Sequence, residues 1–410
     1  MLDIKFIREN KKIVWDSIKK RRVDMDIDRL IEIDDKRLEL IKVVEHLRRD
    51  RREAAEKKDI EKGRKVKEKL NREEESLRAV EQELDLYLEQ APNLISDEVP
   101  EGESEADSQE VKSWGGKPTF DFKPADHVQI GKELKIIDEE SAAKVSGHGF
   151  YYLKDEGALL ELALVSWVVN FLVKKGYMPT ITPSLVRKRF VEGTGYLPRR
   201  EEPDIYKIEG EDLYLVATAE ITLAGLHSDQ ILNEEDLPLN YAGFSPSFRK
   251  EAGSYGKYAK GIFRVHQFDK VEIFKFVKPE DSTNAFKEIV SLEEEIYQAL
   301  KIPYRIVNIC SGEMSAAAYL KYDIEYWSPA EKVYREITSA SNTTDYQARR
   351  LNIKYRKKDG STEFVHTLNG TAVAVSRTIV AILENYQLED GSVKVPEVLC
   401  DFLGKDTLGR

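Results

Sequence analysis

Between Phe248 and Phe276 the chain reads FRKEAGSYGKYAKGIFRVHQFDKVEIFKF, and it gathers Arg249, Glu251, Arg264, Phe268 and Glu272 in one short stretch. Forked arginine donors suit phosphate oxygens, because one guanidinium meets two oxygens at once. An aromatic ring suits a flat base. A carboxylate accepts from an exocyclic amine or from an ammonium group. Together these parts could hold a nucleoside triphosphate and an amino acid. If IFRVHQFDKVEIF is a strand, its side chains alternate between faces, and one face carries Arg264, His266, Phe268, Lys270 and Glu272. The first arm, SFRKE, sets Arg249 beside Glu251, and Gly253, Gly256 and Gly261 make the turn between the arms flexible. The competing reading is a surface hairpin with cross-strand salt bridges, worth about 0.2–1 kcal/mol each. A P-loop is excluded, since GSYGK lacks the spacing and Tyr258 follows the lysine.

Three further stretches carry polar groups in suggestive places. In EITSASNTTDYQARR, Glu336 and Ser339 offer hard oxygens at short spacing, which suits Mg²⁺ with its few protein ligands. In HTLNGTAVAVSRTIVAILENYQ, Asn369, Gly370 and Thr371 read as a polar turn leading into a helix that carries Arg377. In LYLVATAEITLAGL, Thr218 and Glu220 follow an apolar strand. Each has a plain alternative: strand residues that coordinate nothing, a core helix with one snorkelling arginine, and a helix N-cap with an acid in its first turn.

These groups need elements to position them. The 410 residues exceed one ordinary core, and 41% hydrophobic with 34% charged residues reads as a globular protein of two or more domains. Residues 27–91 are almost free of Gly and Pro. Ile33, Leu40, Leu47 and Ala54 recur every seventh position; after Gly63 a second series follows, Val66, Leu70, Leu77, Val80 and Leu84. Two such stripes around one break predict an antiparallel helical hairpin, a coiled-coil arm. Residues 48–72 carry a local charge of +6 within a chain of −11, which favours contact with a phosphate backbone over a merely solvated surface. Residues 96–113 are acidic and read as a linker or loose loop. From Trp114 to the end, strands interrupted by helices predict an α+β domain on an antiparallel sheet. Cys310 and Cys400 suggest neither a disulfide framework nor structural zinc, and the charged start MLDIKFIREN is not read as a signal peptide. The apolar run Ala158–Val173, broken by Glu161 and Asn170, reads as a buried helix and not a membrane span, so a cytoplasmic protein is expected.

In this order the four stretches resemble seryl-tRNA synthetase, a class II aminoacyl-tRNA synthetase, and the resemblance runs from MLDIKFIREN through APNL and WGGKPTFDFKPADHVQIGKEL to VPEVLCDFLG. FRKEAGS…RVHQFDKVE resembles motif 2 of that class, LNGTAVAVSRT motif 3, and GYMPTITPSLV, with Pro183, the motif 1 dimer segment. The resemblance implies residues 1–95 as a tRNA-binding domain with the arm, and 114–410 as a class II catalytic domain. It implies an ATP site of Arg249, Lys250, Glu251, Arg264, Val265, Phe268, Glu336, Ile337, Thr338, Ser339 and Arg377. It implies Arg249, Arg264 and Arg377 as the catalytic cations and Glu336 with Ser339 as the groups that would hold Mg²⁺. It implies a serine pocket of Thr218, Ala219, Glu220, Arg249, Glu272, Asn369 and Thr371. Arg48, Arg49, Arg51 and Arg52 would contact tRNA. The implied partners are L-serine, ATP, tRNA(Ser), tRNA(Sec) where one exists, and a second copy of the chain. Lys250 stands where Ser or Arg is more usual, and TAVAVSR where SGLAVGR is commoner. The alternatives are an amino acid:carrier-protein ligase, which lacks the arm, a non-catalytic RNA-binding paralogue, which would lack Arg249, Glu336 or Arg377, and a coiled-coil structural protein with an unrelated body, which leaves the conjunction of motifs unexplained.

Overall fold

The computed structural model describes residues 2–196, 204–251 and 260–409. They form two compact units, one ending at Leu94 and one beginning at Ile95.

The first unit is helical. Short helices α1 (Ile4–Glu9) and α2 (Lys11–Lys20) precede the long α3 (Ile27–Glu56) and α4 (Ile60–Gln90), which pack along each other. Leu30, Ile33, Val80, Leu84 and Leu88 bury their side chains with Ile7 and Ile18, and Val44, Leu47 and Leu70 continue the seam. Each such side chain contributes roughly 1.5–3 kcal/mol on burial. The break falls at 57–59, earlier than the expected position after Gly63, which lies inside α4. Lys58 takes φ +54° to end α3, and the Asp59 carboxylate starts α4 by accepting the Lys62 N–H at 2.9 Å. That cap sets the boundary, whereas the glycine has open space around it. Arg48 pairs with Glu74 across the hairpin at 2.8 Å, while Arg49, Arg51 and Arg52 stay exposed.

The second unit is built on an eight-stranded sheet. Its strands are β1 (Gln109–Trp114), β2 (Met178–Ile181), β3 (Leu239–Phe248), β4 (Gln267–Val277), β5 (Tyr304–Asn308), β6 (Leu320–Ser328), β7 (Val333–Asn342) and β8 (His366–Ala374). Their order is β1-β5-β6-β7-β8-β4-β3-β2, antiparallel throughout except for the parallel edge pair β2·β3. Helices α5 (Glu156–Lys174), α6 (Ala219–Gly225), α7 (Ser282–Ala299), α8 (Tyr346–Leu351) and α9 (Val375–Asn385) complete the frame. Val271 and Ile273 of β4 point into the main core with α5, α7 and α9, and Phe274 and Phe276 point to a smaller core beneath α6 and α8.

Several expectations need correction. The acidic stretch 96–113 is not a free linker, because Gln109–Trp114 pairs with β5 as the sheet edge and Val99 is buried in the core. Backbone pairing orders that strand while its side chains stay exposed, so its composition looks like a loop. Asn369–Thr371 is not a turn but the middle of β8, between β7 and β4. Gly370 is required there, since a Cβ would sit 2.3 Å from Ile289 Cγ2 of α7. The helix α5 is long and apolar enough to cross a membrane, but Leu160, Leu164, Val168 and Leu172 pack into the core. Its other side is not buried: Leu159, Leu162 and Val173 are exposed.

Candidate active site

The strand expected over IFRVHQFDKVEIF begins only at Gln267. Gly261 has φ +62° and lies so close to His127 that a Cβ would meet Nε2 at 2.2 Å, so the chain bends here before entering the sheet. Arg264 therefore reaches the site from a turn. His266 faces away from the expected wall, its Nδ1 lying 2.9 Å from the Arg249 carbonyl. From Gln267 onward the alternation holds, and Phe268, Lys270 and Glu272 share a face. The hairpin partner is β3, with Ser247 opposite Phe268, Ser245 opposite Lys270 and Gly243 opposite Glu272. Arg249 and Glu251 follow the end of β3, and Glu251 takes φ +52°. Gly253 and Gly256 lie outside the described residues.

These side chains open on a cavity of about 360 Å³ whose walls include Arg249, Glu251, Arg264, Val265, Phe268, Glu272, Glu336, Ile337, Thr338, Ser339, Asn369, Thr371 and Arg377. Lys250, Thr218 and Ala219 are not among the lining residues. Lys250 meets Asp204 through its backbone N–H at 2.8 Å. Thr218 is fully buried as the N-cap of α6, accepting the Glu220 N–H at 3.3 Å, and Ala219 is buried behind it.

Glu336 and Ser339 are three apart, which in a regular strand would put them on opposite faces. A β-bulge removes the conflict: Glu325 pairs with Glu336 and Ile324 with Thr338, leaving Ile337 without a partner. The extra residue turns both oxygen groups to the cavity. Asp323, opposite Ser339, adds a buried carboxylate with Oδ1 unpartnered. Burial pushes its carboxyl up to about 6 against the pull of Lys321. This hard-oxygen set suits a divalent cation. Among the described residues no group of three or more His, Cys, Asp or Glu side chains is placed to hold a metal ion, so this set offers two carboxylates and a hydroxyl at most.

The wider end of the cavity is lined by ion pairs. Arg264 pairs with Glu251, and Arg377 Nη1 lies 3.2 Å from Glu336 Oε1. Arg377 stacks over Phe263 at 4.9 Å, and Arg249 over Phe268 at 5.4 Å. The deeper end holds Glu220 and Glu272. Lys270 Nζ meets Glu272 Oε2 at 2.7 Å, and Thr371, directly opposite Glu272 in β8, donates its hydroxyl at 3.5 Å. Burial pushes the Glu272 carboxyl up to about 7, with Lys270 opposing. Burial also raises Glu220, whose carboxylate accepts Tyr196 Oη at 2.5 Å and Gln347 Nε2 at 2.7 Å. Sequence reasoning did not single out Tyr196, Phe263, Lys321, Asp323 or Gln347 as site residues. Lys270 carried a signal, since it shares the period-two face of Phe268 and Glu272. The others arrive through long-range packing that no local spacing encodes.

A sheet of this topology, with cationic, aromatic and carboxylate groups on its central strands, defines a class II aminoacyl-tRNA synthetase core. Residues 205–386 match the family described as tRNA synthetase class II core domain (G, H, P, S and T), and residues 1–95 match the seryl-tRNA synthetase N-terminal domain. The serine--tRNA ligase of Rubrobacter xylanophilus is 47% identical, with 100% of this chain and 99% of that protein covered. Crystal structures of seryl-tRNA synthetase from Pyrococcus horikoshii complexed with ATP and of the cytoplasmic serine-tRNA ligase from Naegleria fowleri complexed with AMP superpose with TM-scores of 0.93 and 0.90, at 40% and 36% identity. All of this chain is covered in both, with 99% and 98% of those chains. The chain belongs to the seryl-tRNA synthetase family, and it is an ATP-dependent ligase.

Proposed function

We propose that this chain activates L-serine with ATP and transfers the seryl group to tRNA(Ser), and to tRNA(Sec) where one exists. The observation that carries this reading is the single cavity that collects Arg249, Glu272, Glu336, Ser339 and Arg377 from separate strands and a helix. A carboxylate oxygen of serine attacks the α-phosphorus of ATP, the bond to the bridging oxygen breaks, and pyrophosphate leaves. The terminal 3′-hydroxyl of tRNA then attacks the seryl-adenylate carbonyl and expels AMP. No protein nucleophile is needed. Arg249 lies between the two ends and neutralises charge at the reacting phosphorus, while Arg264 and Arg377 meet the outer phosphates and the adenine. Phe268 stacks on the base, and Glu251 accepts from its amine. Glu336 and Ser339 would hold the Mg²⁺ that accompanies ATP, which supplies further phosphate neutralisation.

Glu220 receives the serine ammonium, and Glu272 with Thr371 and Asn369 reads the hydroxyl. An ionised Glu272 is acceptor-only, so alanine withholds one donor from a buried carboxylate and is penalised. The exposed Leu159, Leu162 and Val173 of α5, with Met178 and Ile181 of the edge strand packed against it, support a homodimer through this face. The exposed Arg49, Arg51 and Arg52 support an RNA-backbone contact by the arm, and a cytoplasmic location fits this chemistry.

Serine-dependent ATP–pyrophosphate exchange tests the reading, followed by charging of serine tRNA. Absence of exchange would sink it, and exchange without charging would favour the carrier-protein ligase. Replacing Arg49, Arg51 and Arg52 by Gln is expected to leave exchange unchanged, weaken charging and flatten its salt dependence.

A further inference from the structure

Glu220 is only 5% exposed, yet it lines the cavity. Its two oxygens are held separately, Oε2 by Tyr196 at 2.5 Å and Oε1 by Gln347 Nε2 at 2.7 Å. Gln347 sits on α8, which packs against the α6 helix that carries Glu220. The amide has one orientation available. Its Oε1 accepts the Thr367 hydroxyl at 2.9 Å, and Nε2 also reaches the Thr194 carbonyl at 3.4 Å. Thr367 in turn is held by Thr343, whose hydroxyl donates to the Thr367 carbonyl at 2.8 Å. Gln347 and Thr367 are fully buried, and Thr343 nearly so. Donors therefore run from the Thr367 hydroxyl to the Gln347 oxygen and from the Gln347 amide to Glu220, while the Thr343 hydroxyl braces Thr367 at its carbonyl and its hydroxyl. A side chain kept only to fill space behind Glu220 would need neither polar end. A fully satisfied buried chain of this kind holds its last member in one geometry.

We propose that Gln347 is a positioning residue that fixes the Glu220 carboxylate for the amino-acid subsite and thereby sets the affinity for the substrate ammonium. This rests on the proposed serine activation. Thr367 lies on β8 two residues before Asn369 and four before Thr371, so the same chain ties the ammonium end of the pocket to the strand that reads the hydroxyl.

The test is pyrophosphate exchange with Gln347→Glu, an isosteric change that removes the donor to Glu220. At about pH 8 two carboxylates face each other, and serine KM is expected to rise roughly tenfold or more while ATP KM stays within about twofold. Towards about pH 6 the new carboxyl takes up a proton. Its O–H can then donate to Glu220 and its carbonyl can accept from Thr367. The variant-to-wild-type ratio of serine KM should fall accordingly. Gln347→Met fills the space without a donor and should raise serine KM at every pH without recovery. A folded Gln347→Glu with unchanged serine KM, equal rises in both KM values, or no pH recovery overturns the proposal. If that variant does not fold, an unchanged serine KM in Gln347→Met overturns it. Wild-type protein that shows no serine-dependent exchange refutes the proposed function itself; wild-type exchange with an indifferent variant refutes the positioning role alone.

Discussion

The two ends of the cavity handle the same carboxylate side chain in opposite ways. At the wide end the Glu336 side chain is 46% exposed and pairs with Arg377, whereas at the deep end the Glu272 side chain is 2% exposed and pairs with Lys270. Desolvation acts on both, but Arg377, Lys321 and Arg249 outweigh it at Glu336 and hold that carboxyl below the ordinary range. At Glu272 desolvation wins, and the carboxyl rises to about 7. The wide end thus presents partly exposed ion pairs whose cations can trade partners with phosphates. The deep end presents buried acceptors fixed by dedicated donors. Exchangeable charge suits a polyanionic substrate that enters and leaves. A fixed, dry acceptor suits discrimination of one small polar group, because an unpaired partner there is costly.

The Arg249 charge acts on Glu272 at the deep end and on Glu336 at the wide end, so its loss should be the largest single effect. Arg249→Ala is expected to slow exchange by roughly 10²–10³-fold, with an unchanged melting curve. A small effect would mean that neither end needs the cation between them. The next effect separates the ends. In Lys270→Met the ammonium that lowers Glu272 is gone, so this carboxyl stays protonated to higher pH. Serine KM should rise roughly tenfold near neutral pH and improve as pH is raised, with better relative use of alanine and little change in ATP KM. Lys270→Arg should restore most of this. Arg264→Gln, at the other end, should raise ATP KM without a pH-dependent recovery. If both variants shift the same substrate, the cavity does not divide as described.

Sequence pattern reached the deep end only as far as local geometry carries. Phe268, Lys270 and Glu272 were legible because β4 is regular from Gln267, and the arm because its heptads pack along one seam. Arg264 reaches the cavity, but through the bend at Gly261, where alternation has no meaning. Glu336 and Ser339 share a face only through the bulge at Ile337, which no residue-type rule announces. Thr218 fulfils the plain alternative as a helix cap. Gln347 and Tyr196 meet Glu220 from positions 127 and 24 residues away, so no spacing within one element could reveal them.

The smallest expected effect concerns what lies beneath the deep end. Glu293 of α7 is fully buried, with Oε1 unpartnered and Oε2 accepting the Thr338 hydroxyl at 3.4 Å. Burial pushes its carboxyl well above the ordinary value, with Glu272 and Asp323 adding to the shift. A carboxyl raised in the folded state binds its proton more tightly than the unfolded chain does. It therefore leaves the fold undisturbed below the unfolded pKa and costs stability progressively as pH rises above it. Glu272, raised to about 7, and Asp323, raised to about 6, act in the same direction. The catalytic unit should thus melt at lower temperature as pH is raised from about 5 to 8. Glu293→Gln keeps the shape and removes one ionisation, so it should raise the melting temperature at about pH 8 by a few degrees and leave it nearly unchanged at about pH 5. Because Glu272 keeps its own ionisation, the pH slope should flatten without vanishing. A uniform loss of stability at both pH values would instead mean that the carboxyl proton makes a hydrogen bond that an amide cannot replace, and that the deep end is held from below as tightly as it is from Gln347 and Lys270.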